Sequence, residues 1–181
     1  MPVKRNLLVL FGFLLLVACG NQHKSQEEIV KDWKTLETQD YSIRYPQSWA
    51  LNQSGYMGTS FIVISKQTSI RDFYQENVSL VEEDLSDKVI DLEAYVQNYL
   101  KDLENKVEHF KVVESEFQKV GNKTFYKVIY VGVDAKSTVM VEQHYMIKNT
   151  KAYVLTFSCK AFDVKRYKPI GEAILNSFKL K

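Results

Sequence analysis

The sequence predicts an α+β domain in which a central antiparallel β-sheet is flanked by helices. From His109 to Lys160 the apolar side chains alternate with polar ones, which is the period of half-buried strands. One stretch with helical spacing precedes this region and another follows it. Helices that bury one face against an antiparallel sheet form a layered α+β domain.

Both helices are predicted from apolar residues that recur three or four positions apart and so share one helical face. The first runs from about Leu92 to Lys106, with Asp91 as a suitable N-cap. Its apolar stripe consists of Leu92, Val96, Tyr99, Leu103 and Val107. The second is a terminal helix that starts near Asp163 or Lys168, and Pro169 is tolerable in its first turn. Its stripe consists of Val164, Tyr167, Ile170, Ile174 and Phe178.

The strands are predicted in two groups. Three precede the first helix, at residues 40–46, 61–65 and 77–82. Four lie between the helices, at residues 109–120, 124–133, 138–148 and 152–160. Because short polar turns such as Gly121-Asn122 separate the second group, these four strands are expected to form an antiparallel meander.

The first eighteen residues have the pattern of a secretory signal peptide. Lys4 and Arg5 form a basic region, and an uncharged apolar run follows at residues 7–18. A membrane-spanning helix needs about 20 apolar residues. The run is shorter than that, so we expect it to be removed on export.

The end of this run, Leu16-Val17-Ala18-Cys19, resembles the lipobox of bacterial lipoproteins. The resemblance implies that Cys19 carries a diacylglyceryl group and becomes the mature N-terminus. Two acyl chains anchor a protein stably, since each buried methylene contributes about 0.8 kcal/mol. We expect an exported protein that is lipid-anchored to the cell envelope, on its periplasmic or surface side. Gly20 stands where an aspartate retains many lipoproteins in the inner membrane, which favours the outer membrane.

A short polar segment is expected to join the lipid to the domain. Residues 20–24 have no apolar pattern and predict a tether. A capping-box pair, Ser25 and Glu28, then precedes residues that share one face of a short helix, Ile29, Trp33 and Leu36. The chain therefore divides into a signal peptide (1–18), the lipidated cysteine with its tether and short helix (19–39), and the α+β domain (40–181).

Charge and cysteine content narrow the range of partners. The chain has 24 Lys+Arg and 22 Asp+Glu, and removal of the signal peptide takes two basic residues, Lys4 and Arg5, and no acidic one. The mature chain is thus neutral, without the basic footprint of a nucleic-acid-binding protein or a polybasic lipid-binding segment. Once Cys19 is lipidated, Cys159 has no cysteine to pair with in the chain.

Four segments together resemble PsbP-like and DcrB-like proteins. Residues 41–49 (YSIRYPQSW) are similar to that family's opening segment, and residues 120–126 are similar to its glycine turn before a long strand pair. Residues 152–158 and 174–179 are similar to its closing strand and helix. The match runs from Asp40 to Lys181.

The resemblance implies the Mog1/PsbP-like fold, an α/β/α sandwich. It also implies a largely non-enzymatic family, whose members include photosystem-assembly factors, bacterial envelope lipoproteins and chaperones of secretion effectors. A role in the oxygen-evolving complex does not carry over, because nothing in this chain matches residues specific to it.

The histidines offer few candidate ligands for a metal. His23 lies in the tether, and His109 follows Glu108, from which it diverges if the segment is extended. Glu142 and His144 share one strand face and could supply two ligands, but a metal site needs three or four. We therefore expect solvated strand residues and no metal, cofactor or catalytic residue.

Cys159 follows Tyr153, Leu155 and Phe157 on one strand face and is expected to be a buried small hydrophobe. No phosphate-binding loop, dinucleotide fingerprint or nucleophile elbow is present in the sequence.

Three functions remain in view. The favoured one is a non-catalytic binding, assembly or accessory module that contacts an envelope protein. A small-ligand carrier would need an apolar pocket between sheet and helix. A metal-dependent hydrolase would need carboxylates and histidines that converge only in the fold.

Overall fold

A seven-stranded antiparallel β-sheet forms the centre of the protein, with one helix on each face. The computed structural model describes residues 32–70, 72–134 and 136–181. The helices are α1 (Leu92–Lys106) and α2 (Val164–Ser177). The strands are β1 (Trp33–Glu37), β2 (Tyr41–Pro46), β3 (Ala50–Asn52), β4 (Phe61–Ile64), β5 (Asn77–Asp84), β6 (Glu108–Val120), β7 (Lys123–Asp134), β8 (Ser137–Lys148), β9 (Lys151–Lys160) and β10 (Lys179–Leu180).

The strand order confirms the predicted α+β fold and its meander. The large sheet runs β3-β4-β5-β9-β8-β7-β6, so the four strands from β6 to β9 are successive neighbours. Every pairing in it is antiparallel. A second, three-stranded sheet with the order β1-β2-β10 had not been predicted.

Each face of the large sheet has its own hydrophobic core. On the α1 face, Tyr95 and Val96 pack against Tyr145 of β8. On the α2 face, α2 and the three-stranded sheet cover residues such as Phe157 of β9, and Ile43 of β2 is fully buried there. Burying one large apolar side chain contributes about 1.5–3 kcal/mol. These two cores therefore hold the helices in place.

The predicted bounds agree with the structure for α1, and the structure decides between the two predicted starts of α2. Helix α1 has the predicted bounds, and the Asp91 carboxylate accepts a hydrogen bond from the Ala94 amide at 2.8 Å, as expected of an N-cap. Helix α2 begins at Val164, so Pro169 lies in its interior and not in its first turn. A proline there removes one intrahelical hydrogen bond. Packing of α2 on the sheet outweighs that loss.

The predicted short helix is wrong where the structure describes it. Trp33–Glu37 form strand β1, which pairs antiparallel with β2 and places Leu36 opposite Ile43. A helix this short is marginal on its own, whereas pairing satisfies the backbone and buries Leu36. The sheet thus begins before residue 40, where the domain had been expected to start. The signal peptide, Cys19, His23 and the tether lie outside the described residues.

Neither α1 nor α2 could cross a membrane. Within the described ranges, no helix combines the length and the apolar character that a bilayer span requires.

Candidate ligand cavity and buried polar groups

A cavity of about 530 Å³ opens where α2 ends. The β6–β7 turn, the last residues of β8 and the segment that follows α2 form its walls. More of this lining is apolar than polar, and its apolar side chains are Val120, Met146, Ile147, Phe178 and Leu180. Small-molecule sites have volumes of about 300–1,000 Å³ and are mostly apolar. The cavity is thus large enough for a small ligand.

Lys123, the first residue of β7, supplies the most buried charge of the cavity wall. Its Nζ donates a hydrogen bond to the carbonyl oxygen of Leu175 in the last turn of α2, at 3.1 Å. The same nitrogen lies 5.1 Å from the ring centre of Phe125 and 5.7 Å from that of Phe178. Burial lowers the pKa of Lys123 to about 8. The ammonium is therefore charged at pH 7, at a cost in desolvation.

No carboxylate offsets this charge. Among the ion pairs of the described residues, none involves Lys123. Two further lysines, Lys148 and Lys179, line the cavity, and no aspartate or glutamate of the described chain does. Lys148 donates to the backbone carbonyl of Lys181. The cavity thus combines an apolar wall with positive charge.

The Glu142–His144 pair lies on β8, on the sheet face against which α2 packs. Nε2 of His144 lies 2.9 Å from Oε1 of Glu142, and both residues are only 2% exposed. The His144 ring stacks on Phe125, with 4.1 Å between the ring centres. The expectation that these two residues are solvated is therefore wrong. Alternation placed them correctly on one face, but it could not indicate that α2 covers that face.

The protonation state of His144 follows from its surroundings. Burial lowers its pKa below the ordinary 6.5, and the nearby charges of Lys123 and Lys127 act in the same direction. The hydrogen bond to Glu142 raises the pKa but does not reverse the shift. At pH 7 the imidazole is thus neutral, and its Nε2–H donates to the carboxylate.

This pair lacks what nucleophilic catalysis needs. Nδ1 of His144 and Oε2 of Glu142 are buried and have no hydrogen-bond partner. A histidine base acts on a hydroxyl or thiol within hydrogen-bond reach, and Nδ1 has none. Neither residue lines the cavity. The pair is therefore a polar element of the core.

The other candidate metal ligands lie apart from the Glu142–His144 pair. His109 is exposed, and its Nε2 lies 3.3 Å from Oε1 of Glu108. These side chains meet because His109 has a φ of 55°, whereas the sequence argument that they diverge assumed extended backbone. Within the described ranges, no three His, Cys, Asp or Glu side chains are arranged to hold a metal.

Cys159 is fully buried in the core of the α2 face, which confirms its predicted role as a small hydrophobe. Burial raises the pKa of its thiol to about 12. Since the thiolate is the nucleophilic form, Cys159 is chemically inert.

Sequence reasoning missed Lys123 and the cavity, although one signal was present. Residues two apart share a strand face, and here Lys123, Phe125, Lys127 and Ile129 follow one another at that spacing. Two lysines on a core-facing strand are unusual. The signal identified a charged position but not the cavity beside it.

Comparison with known proteins gives the chain its family. Residues 18–180 match the family model described as PsbP-like protein. Among curated protein sequences, none matches the chain.

Several solved structures share the fold. Cyanobacterial PsbP (CyanoP) from Synechocystis sp. PCC 6803 aligns with a TM-score of 0.57 and 14% identity, over 82% of this chain and 92% of that one. LpqN, involved in cell envelope biogenesis of Mycobacterium tuberculosis, has a TM-score of 0.58 and 12% identity, over 82% and 90%. PA94 from Pseudomonas aeruginosa has a TM-score of 0.55 and 12% identity, over 80% and 94%. With the family model spanning nearly all of its residues, the chain belongs to the PsbP-like protein family.

Proposed function

We propose that this protein is a non-catalytic binding module of the bacterial cell envelope, anchored by lipid on Cys19, whose cavity receives a small ligand. The cavity carries the proposal. Its volume of about 530 Å³ lies within the range of small-molecule sites. It opens where the end of α2 meets the β6–β7 turn and the last residues of β8, so a ligand there would contact both the sheet and the segment that follows the helix.

The buried polar pair supports a non-catalytic role. His144 and Glu142 make a hydrogen bond to each other, and neither reaches a nucleophile or the cavity. A metal-dependent hydrolase would need three or four converging ligands. His109 and His144 are instead found on different strands, one exposed and one buried.

Anchoring at the envelope depends on one sulfur atom. We expect Cys19→Ser to abolish incorporation of an alkyne-bearing fatty acid into the protein, because the proposed acceptor thiol is gone. Gly20 after the cysteine supports the outer membrane as the destination. The measurement is in-gel fluorescence of the labelled protein after membrane fractionation.

Cys159→Ala is the matched control for that experiment. Cys159 is buried in the core, so this variant should incorporate the fatty acid as the unaltered protein does. Labelling that persists in Cys19→Ser, or that is absent from the unaltered protein, would contradict the anchor.

Ligand binding in the cavity is tested by closing it. Asn176 in the last turn of α2 lines the cavity and is exposed, so Asn176→Trp should fill the entrance without disturbing the core. The probe is decanol with a photoreactive diazirine on its chain, added to membranes that hold the native protein. We expect labelling of residues 120–124 and 146–148 to fall about tenfold, as a loss of about 1.4 kcal/mol in binding free energy produces.

Thr35→Trp adds the same ring at an exposed position on β1, away from the cavity. This control should be labelled like the unaltered protein. If the two tryptophan variants are labelled equally, the cavity is not the binding site.

A second role, in assembly, is favoured by the edge strand β6. This strand has thirteen residues, pairs with β7 alone among the described strands, and exposes Val113, Phe117 and Val120. An unpaired strand edge can accept a strand from another protein. An envelope partner bound there would be compatible with a ligand in the cavity.

A further inference from the structure

We propose that the ligand of the cavity is a single-chain amphiphile with an anionic head group, which pairs with the ammonium of Lys123. The inference rests on the proposed function, because it names the ligand of that same site. Its chain lies against Val120 and Leu180, apolar lining side chains that are exposed or only half-buried.

Without a ligand, the Lys123 ammonium has no counterion among the described residues. Its ammonium is charged and half-buried, and within the described ranges it has one carbonyl and two aromatic rings around it but no carboxylate. A buried charge is costly unless it is paired. An anionic head group supplies the missing counterion, whereas a neutral one leaves the cost in place.

The other charges that line the cavity also favour an anionic head group. Lys148 and Lys179 also line the cavity, and in the described chain no acidic side chain does. The C-terminus of α2 opposes an anion, since a helix end carries about half of a negative charge. Lys123 already donates to a carbonyl of that end, which offsets part of this effect. A cationic head group would be repelled.

The apolar wall requires a chain beside the charge. A small inorganic anion would reach the lysines but would leave Val120 and Leu180 in contact with water. A volume of about 530 Å³ accommodates one chain with its head group. The shape and chemistry of the site thus match a single-chain anion such as a fatty acid.

The test compares three probes that differ only in head group: decanoate, decanol and decyltrimethylammonium, each with a diazirine on the chain. They are added to membranes that contain the native, full-length protein, and labelled peptides are identified by mass spectrometry. We expect decanoate to label residues 120–124 and 146–148 about tenfold more than decanol, as a charge-assisted hydrogen bond would produce. The cation should label them least.

Variants test whether the preference for the anionic probe comes from Nζ of Lys123. Lys123→Gln should lower decanoate labelling about tenfold, to the level of decanol, while decanol labelling stays unchanged and shows that the cavity is intact. Lys165→Gln changes an exposed lysine near the other end of α2 and should alter neither. If Lys123→Gln fails to fold, decanol labelling is lost as well. The comparison of the three probes on the unaltered protein then decides whether the ligand is anionic.

The outcomes separate this inference from the proposed function. Equal labelling by decanoate and decanol, or a decanoate preference that survives Lys123→Gln, overturns the anionic ligand but leaves a binding cavity. Labelling of the cavity by none of the probes overturns both.

Discussion

His144→Phe is expected to lower the free energy of unfolding by about 3 kcal/mol or more, because a buried carboxylate that loses its hydrogen-bond donor costs more than an unsatisfied neutral group. Phenylalanine can keep the stacking on Phe125, so the loss does not come from packing. It comes from the Glu142 carboxylate, which remains 2% exposed and loses its only hydrogen-bond donor in the described structure. Urea unfolding monitored by circular dichroism measures the change.

Two companion variants make this expectation specific. Glu142→Leu leaves a neutral imidazole without an acceptor, which costs less, about 1–3 kcal/mol. The double variant Glu142→Leu/His144→Phe should be more stable than His144→Phe alone, because no buried charge remains. A loss below about 1 kcal/mol in His144→Phe would show that the carboxylate is hydrated.

The same pair predicts a pH dependence. Because the pKa of His144 is lower in the folded protein than the ordinary 6.5, the unfolded chain binds more protons near and below that pH. This contribution to stability is therefore complete above about pH 6.5 and is lost as the pH falls. The double variant should lose less stability than the unaltered protein between about pH 7 and pH 5, as measured by urea midpoints.

Gly171→Ala is expected to destabilise the protein by about 1–3 kcal/mol, the usual cost of an overpacked core. In an exposed helix the same change would stabilise by about 1 kcal/mol. Here the added Cβ would lie 2.5 Å from ring atoms of Phe157, a fully buried residue of β9. Since the sheet holds that ring, α2 would have to move away from the core. Thermal unfolding gives the sign directly.

Phe157→Leu provides the matched partner for that experiment. This variant removes ring atoms opposite Gly171, so the double variant Gly171→Ala/Phe157→Leu should lose less than the two single losses combined. An increase in melting temperature for Gly171→Ala would show that α2 can shift at no cost.

The predictable part of the fold comes from local patterns. Helix α1 was predicted with its bounds because its apolar stripe and its cap lie within one short segment, from Asp91 to Val107. The meander was predicted because alternation and turn residues specify hairpins between neighbouring segments. Strand β1 was missed because the spacing of Trp33 and Leu36 resembles a helix. Its strand conformation comes from pairing with β2.

The candidate site shows the same division at the level of single residues. Alternation placed Glu142 and His144 on one strand face, as the structure confirms, but predicted that they are solvated. Covering that face required α2, whose contacts with the sheet link residues far apart in the chain. The cavity likewise depends on the end of α2 meeting the β6–β7 turn at Lys123.

The amino-acid sequence alone thus determined the fold class, the meander, the helical stripes and the buried position of Cys159, because each depends on periodicity within a short segment. Tertiary structure alone decided which strand face is buried and where an unpaired ammonium borders an apolar cavity. Burial and charge pairing are set by which distant segments pack together, and no local pattern records that choice.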